Sequence, residues 1–474
     1  KVQATANLRD RGVAEYTVVQ AEEGKPNGTF LIEKPASNPN YKANVEMFAK
    51  SFDGNRNKTY ATWQYFGSPV KSANRDQLPL ESTWVRKYNR TLNVPNSDEK
   101  WEDVTTGTLT QGEAYEITQP KPANYRFIGE LNTGDFTFNV NGMASATNYQ
   151  DMNILANPYT GAMSIDKLDF SGATAADKVV YLFNTGSRKD WIANSGPTTN
   201  GTTQGQYTKA IPANLAGHVA GMPNQIPSLS SFMVKSTAAG NLKYRYADLV
   251  TATEENRAPQ RHFHSLAVDV ESAKTADRLW LVQAEGTTDR YDNGWDGEKI
   301  FAPGEAALYA MQDRSYQVTT TDAIGETKVG FVPGDGEQNY KLTFHIDGGD
   351  GTQQYTLLDK RTGLTRAIHD GDTYEFTATK GDAAHRFTIL GNGAKATADQ
   401  RGFQITADLR RNFTVKNFTD EPAEALVFDA AGKIQARFTV EPGSENTGTV
   451  VMPGAYVVRV SNKVTTLTQR FVMP

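Results

Sequence analysis

The chain of 474 residues contains no cysteine. That excludes disulfide staples, thiol nucleophiles and thiolate metal sites, and it leaves the redox compartment open. Histidine is scarce, six in all, at 218, 262, 264, 345, 369 and 385. No apolar run approaches the roughly 18 residues that a bilayer-crossing helix needs. Long blocks of one charge are also missing. Lys and Arg total 49 against 54 Asp and Glu, a net charge of −5, without the basic stripe that nucleic acid demands. The expectation is no nucleic-acid partner and no membrane-spanning segment. There is no Gly-x-Ser-x-Gly elbow, no His-Glu-x-x-His helix and no Gly-x-x-x-x-Gly-Lys-(Ser/Thr) loop. No catalytic residue, cofactor site or metal ligand is assigned, and a non-catalytic role is expected. The chain opens on Lys1 without a signal peptide, which reads as a cytosolic protein or a processed segment of a longer precursor.

Turn and strand chemistry is plentiful. Forty Gly, twenty Pro and 10% aromatic residues punctuate short Thr, Val, Tyr and Phe runs. This predicts an all-β protein of several consecutive antiparallel β-sandwich domains, jelly-roll or immunoglobulin-like. The length suits roughly three domains of ordinary size.

One pattern is written twice. "TWQYFGSPV" (62–70) and "DMNILANPY" (151–159) each run an apolar strand into a small or polar residue and a Pro, which ends a ladder. "WVRKYNRT" (84–91) is answered by "VVYLFNTG" (179–186), and Trp101 by Trp191. "LTQGEAYEIT" (109–118) is answered by "IPSLSSFMVK" (226–235), and "NYRFIGEL" (124–131) by "LKYRYADL" (242–249). The conserved order points to a duplicated β unit at 1–135 and 136–250, the second copy carrying a long loop at 195–225.

Residues 251–262 read as a linker. Strict alternation follows: Leu266, Val268 and Val270 point one way, and so do Tyr340, Leu342, Phe344 and Ile346, predicting a β-sandwich over 263–391. After a breaker-rich join at 391–402, residues 400–474 read as a small immunoglobulin-like unit with turns at 429–432 and 461–463.

This last unit carries "VFDAAGKIQARFTV" (427–440) and "VMPGAYVVRVSNKVTTLTQRFVM" (451–473). It resembles the C-terminal sorting domain of proteins exported by the type IX secretion system of Bacteroidetes, with Ala455 where that family has Val in Gly-Val-Tyr. "NILANPYTGAMSIDKL" (153–168) is similar to the Gly-Asn-Pro-Tyr-Pro strand of large Bacteroidetes cell-surface proteins, Ala156 standing for their Gly. The same resemblance continues through "VVYLFNTG", "IPSLSSFMVK" and "RLWL…DRYDNGWDGEKI…YTLLDK…YEF…HRF". It implies an exported, adhesin-like or scaffold protein, extracellular or at the outer-membrane surface. Its partners would be a protein or glycan on another cell or matrix, and the export machinery through its C-terminal domain. The alternative is a carbohydrate-binding or glycan-degrading secreted protein.

Candidate chemistry is sparse. His262 and His264 lie two apart, a spacing that places both on one face of a strand, but no third metal ligand is assignable; two polar positions flanking Phe263 is the plainer reading. In "TTDRYDNGWDGEKI" (287–300), Asp289, Asp292, Asn293, Asp296 and Glu298 offer hard oxygens that suit calcium, without EF-hand spacing. The plainer reading is a turn whose Asp and Asn side chains bond their own backbone. "HIDGGDGTQQ" (345–354) is open to the same two readings. Trp84, Trp101, Trp191 and Trp295 are candidates for stacking on sugar rings, against the commoner role of Trp as packing. No carboxylate pair for glycoside hydrolysis is nominated.

Overall fold

The computed structural model describes residues 17–22, 27–33, 35–37, 40–51, 63–94, 97–142, 151–184, 206–251, 262–273, 275–302, 304–349, 351–391, 402–408, 410–419, 421–463 and 466–473. Among them there are strands and single 3-10 turns but no α-helix. The protein is all-β, built of mostly antiparallel sheets packed as consecutive sandwiches; Val18–Val19 on Lys42–Ala49 and Ala276–Gln283 on Ser315–Thr321 pair in parallel.

In the first region Lys42–Ala49 pairs along its whole length with Ala123–Glu130. A second sheet runs Gln64–Phe66, Tyr115–Thr118, Trp84–Tyr88, Trp101–Asp103 in spatial order. The next region shows the same connectivity: Phe136–Val140 beside Gly240–Tyr244, and a sheet ordered Met152–Ala156, Ser231–Lys235, Val179–Asn184, Gln206–Pro212. Even the small ladder of Ala73–Asn74 with Thr108–Leu109 has a counterpart in Ala162–Ser164 with Gln225–Ile226.

The two nonapeptides supply the edge strands Gln64–Phe66 and Met152–Ala156, and each passes its end to the other sheet. Gly67 N–H donates to the Leu229 carbonyl at 3.0 Å, and Ala156 N–H donates to the Gly112 carbonyl at 3.1 Å. Isolated bridges pair Phe66 with Ser230 and Leu155 with Glu113. The two accepting residues share a left-handed backbone, φ 75° at Gly112 and 63° at Leu229. Leu229 is 2% exposed and belongs to the first region's core with Phe66, Val70 and Phe127. The approach is close: a Cβ on Gly67 would lie 2.3 Å from the Ala156 Cβ.

The long loop expected at 195–225 is largely structured from 206 onward. Residues 206–212 form a strand on Val179–Asn184, and Leu215, Ala216, Val219 and Met222 are buried. The polar composition hid apolar residues spaced through turns rather than alternating. Residues 195–205 lie outside the described residues.

Residues 264–391 form an eleven-stranded sheet that curls on itself. The neighbours in sequence Leu364–Ile368 and Thr373–Thr377 stand at its opposite ends. They meet where Arg366 Nη1 donates to the Thr373 carbonyl at 2.9 Å, and Asp359, on the strand next to Leu364–Ile368, receives Arg386 Nη2 and the Tyr374 hydroxyl, both at 2.9 Å. Leu266, Val268 and Val270 face this sheet's own core. Ala267, Trp280, Val282 and Val318 face the other way, into a core shared with Val180, Ile211 and Phe232 of the preceding region. The strand His264–Glu271 is therefore covered on both faces.

Residues 403–473 form a separate sandwich of a three-stranded and a four-stranded sheet around Phe413, Val427, Tyr456 and Val458. Asp429 Oδ1 accepts from the Ala431 and Lys433 amides and closes the hairpin turn, with Gly432 at φ 79°.

Gly67→Ala overfills the crossing point and is expected to cost about 2 kcal/mol in urea unfolding. Adding Ala156→Gly makes room for the new methyl and is expected to restore most of the loss; equal losses in single and double variants would show that the two positions are not coupled.

Candidate functional site

The acidic loop follows the strand Ala276–Gln283 and packs on the preceding region. Asp296 is fully buried and both its oxygens are committed: Oδ2 accepts the Asp292 amide and Oδ1 the Thr320 amide, each at 2.7 Å. Burial pushes its carboxyl up to about 7, against the pull of the two amides. Asp292 turns back to accept the Thr288 amide at 2.6 Å. Asn293 reaches outward, accepting the Lys178 amide at 2.7 Å and donating to the Ala176 carbonyl at 3.1 Å. Glu298 pairs with Lys235 at 2.5 Å and Arg314 at 2.7 Å, which hold its carboxyl below the usual range against the opposing effect of burial. Asp289 accepts the Thr321 hydroxyl at 3.0 Å. The oxygens that suggested an ion diverge into backbone caps and cross-region bonds. Among the described residues no group of three or more His, Asp or Glu is placed to hold a metal ion.

One neighbour was not singled out from sequence. Lys299 Nζ lies 2.6 Å from Asp277 Oδ1, and both side chains are 1% exposed. Asp277 Oδ2 also accepts the Leu308 amide at 2.7 Å. The available signal was a Lys directly followed by Ile300 and Phe301, an apolar setting that demands a buried partner.

The histidine pair does not converge. His262 Nδ1 meets Asp347 Oδ2 at 2.9 Å. His264 is buried, with Nδ1 on the Asp347 carbonyl at 3.0 Å and Nε2 on the Tyr355 hydroxyl at 2.5 Å. Gly348 and Gly349, at φ 70° and 78°, turn the chain out of the strand over 345–349.

The tryptophans are mostly packing. Trp101 lies against Tyr65 and Tyr88, with centroids at 4.8 and 5.1 Å. Trp295 meets Phe263 edge-on at 5.6 Å. Trp84 is half-buried, contacts Trp63 at 4.6 Å, shares the Arg86 guanidinium with it and donates its N–H to Asp103. Trp191 lies outside the described residues.

The profile of a domain of unknown function, DUF8693, matches residues 1–390. The chain belongs to this family. It is 31% identical over 481 residues to the minor fimbrium subunit Mfa5 of Porphyromonas gingivalis. That alignment takes in 96% of this chain and 38% of the fimbrial protein, so the chain spans well under half that relative's length. Among solved structures, the BSP domain of a biofilm-associated protein aligns at 9% identity over 91% of this chain and 95% of its own, with a TM-score of 0.14. A Salmonella alpha-2-macroglobulin reacted with methylamine aligns at 8% identity over 91% of this chain and 40% of its own, with a TM-score of 0.15. Alignments at such scores carry no argument. The DUF8693 stretch closes with the curled sheet, and the 403–473 sandwich lies beyond it.

Two outcomes are expected at the loop. Asp277→Ala strands a buried ammonium and costs about 3–5 kcal/mol in chemical denaturation, whereas Asp277→Leu with Lys299→Met costs much less. Calcium in place of chelator leaves the melting temperature within about 1 °C; a rise of several degrees would show an ion in the loop.

Proposed function

We propose that this chain is a non-catalytic cell-surface protein of adhesin-like or scaffold type, exported to the extracellular or outer-membrane surface, with residues 400–474 as its secretion or anchoring module. The observation that carries the reading is the 31% identity to a minor fimbrium subunit along 96% of the chain. The proposed division is two related β units at 1–135 and 136–250, a sandwich at 263–391 and the terminal module. Matching connectivity and reciprocal crossing bonds support the first pair as copies of one unit. For the module, support comes from its separate core and its position outside the family match. Its partners on this reading are the export machinery at the C-terminal end and a protein or glycan on another cell or matrix.

Deleting residues 400–474 in the native host is expected to abolish surface delivery, read by protease accessibility on whole cells. The purified 1–391 fragment should keep its β circular dichroism and a cooperative melt. Normal delivery of the truncated chain would overturn the role given to the module.

A further inference from the structure

Ala423–Asp429 and Gly454–Ser461 are the two central strands of the terminal sandwich's four-stranded sheet. Inward they present Ala425, Val427, Tyr456, Val458 and Val460, all buried. Outward, where alternation calls for polar residues, they present Leu426, Phe428, Ala455 and Val457. Phe428 stands opposite Val457, and Ala455 opposite Val472 on the edge strand Thr466–Met473. Val472 is 85% exposed, and the turn entering the same end of the sheet exposes Val451 and Met452 at 83% and 67%. Elsewhere in the chain the second face of a sheet is sealed by a neighbouring region, as at Ala267 and Trp280. Here it stays open, with Leu426, Phe428 and Val457 only half-buried.

Three arginines frame this apolar band. Arg437 and Arg459 flank Leu426 on the two neighbouring strands, and Arg470 stands opposite Val457. Glu424 on the same face reaches Arg437 at 3.5 Å, while Arg459 and Arg470 have no carboxylate partner among the described residues. These two lie diagonally across one strand pair, a like-charge approach that an acidic partner relieves. An apolar centre rimmed by arginine is the composition of a protein interface. Such a face is ill suited to itself, because a two-fold contact sets arginine against arginine. The whole chain carries −5, so another copy offers the opposite charge. Among the described residues the densest run of exposed carboxylates is Asp98, Glu99, Glu102 and Asp103. It occupies a turn and the edge strand Trp101–Asp103 of the first region, and the lysine within it, Lys100, is fully buried. Beside it lie the half-buried Trp63 and Trp84, with Trp84 bonded to Asp103 at 2.6 Å.

We propose that the outer face of the terminal sheet docks a second copy of this chain, seating its arginines on the acidic run at 98–103. The contact joins two different surfaces, so it builds rings or open chains of copies rather than a closed two-fold dimer. Strand spacing and length give the face an extent on the order of 400 Å². That is about half of the roughly 800 Å² per partner found in stable complexes, so the association is weak, with a Kd of roughly 10–100 μM. The inference concerns the purified chain and does not depend on the export role proposed for residues 400–474.

The test is analytical ultracentrifugation of the whole chain across the predicted Kd range, at low salt and at high salt. At low salt the average mass should climb with concentration past that of a dimer, and high salt should return it to the monomer. Arg459→Glu with Arg470→Glu should weaken association at least about tenfold, and so should Glu99→Lys with Glu102→Lys. All four side chains are exposed, so each double variant should keep the circular dichroism and melt of the parent. Mixing the two double variants should restore association, since every contact is then again between opposite charges. A parent chain that stays monomeric at low salt overturns the proposal. So does a mass that stops at the dimer, association that survives the arginine changes, or a mixture that remains monomeric.

Discussion

The first two regions exchange a reciprocal pair of backbone hydrogen bonds, Gly67 N–H to Leu229 and Ala156 N–H to Gly112. A sheet edge exposes unpaired amides and carbonyls that invite unwanted pairing. Here each edge strand is partly covered by the approach to the other sheet's central strand. The exchange requires a left-handed residue just ahead of each central strand, and it is found at both places. Glycine meets that demand at 112 without strain. At 229 the same backbone carries leucine, at a conformational cost of about 1–2 kcal/mol. Burying the Leu229 side chain in the neighbouring core is worth about 2 kcal/mol, enough to offset the strain. The strained residue thus anchors one region in the other.

From this crossing outward, the joints change character along the chain. The first two regions share backbone pairing and an apolar cluster that includes Tyr88, Met152 and Met233. The second and third share side-chain packing around Trp280, reinforced by Asn293 and by the Lys235–Glu298 pair. The third and the terminal sandwich keep separate cores and meet at a polar pocket between Arg361, Asp382 and Arg386 on one side and Asn462 and Lys463 on the other. Apolar joints resist separation because opening them exposes hydrocarbon, whereas a polar joint is readily hydrated.

Much of this architecture was legible in the sequence because β structure writes itself with period two. Leu266, Val268 and Val270 alternate and do share a core, and the repeated stations other than Trp101 and Trp191 lie on strands at corresponding places in the two sheets. The reverse face of the same strand was less legible, since Ala267 and Asp269 look like solvent positions until a neighbouring region covers them. Residues 213–225 were missed because their apolar side chains follow turns, which have no period. The acidic loop announced oxygens but not their direction: its five polar side chains each turn to different structural partners once the backbone is folded. The pocket between the last two sheets was invisible for a simpler reason. Its residues come from two separate sheets, and only their meeting forms it.

Asp296 and His385 show why a displaced pKa alone does not identify a site. Burial raises Asp296 to about 7, where a general acid or base would work best. Yet it is wholly shielded, and both oxygens already accept backbone amides at 2.7 Å, so no substrate proton has a path to it. Its displacement measures the cost of placing a carboxyl where two strands need an acceptor. His385 is displaced in the opposite sense, by burial and by cations on its own sheet, and it borders a cavity rather than a packed wall. The distinction lies in access. A perturbed group sealed by its own hydrogen bonds is part of the scaffold, and one that lines a pocket has the access that the first lacks.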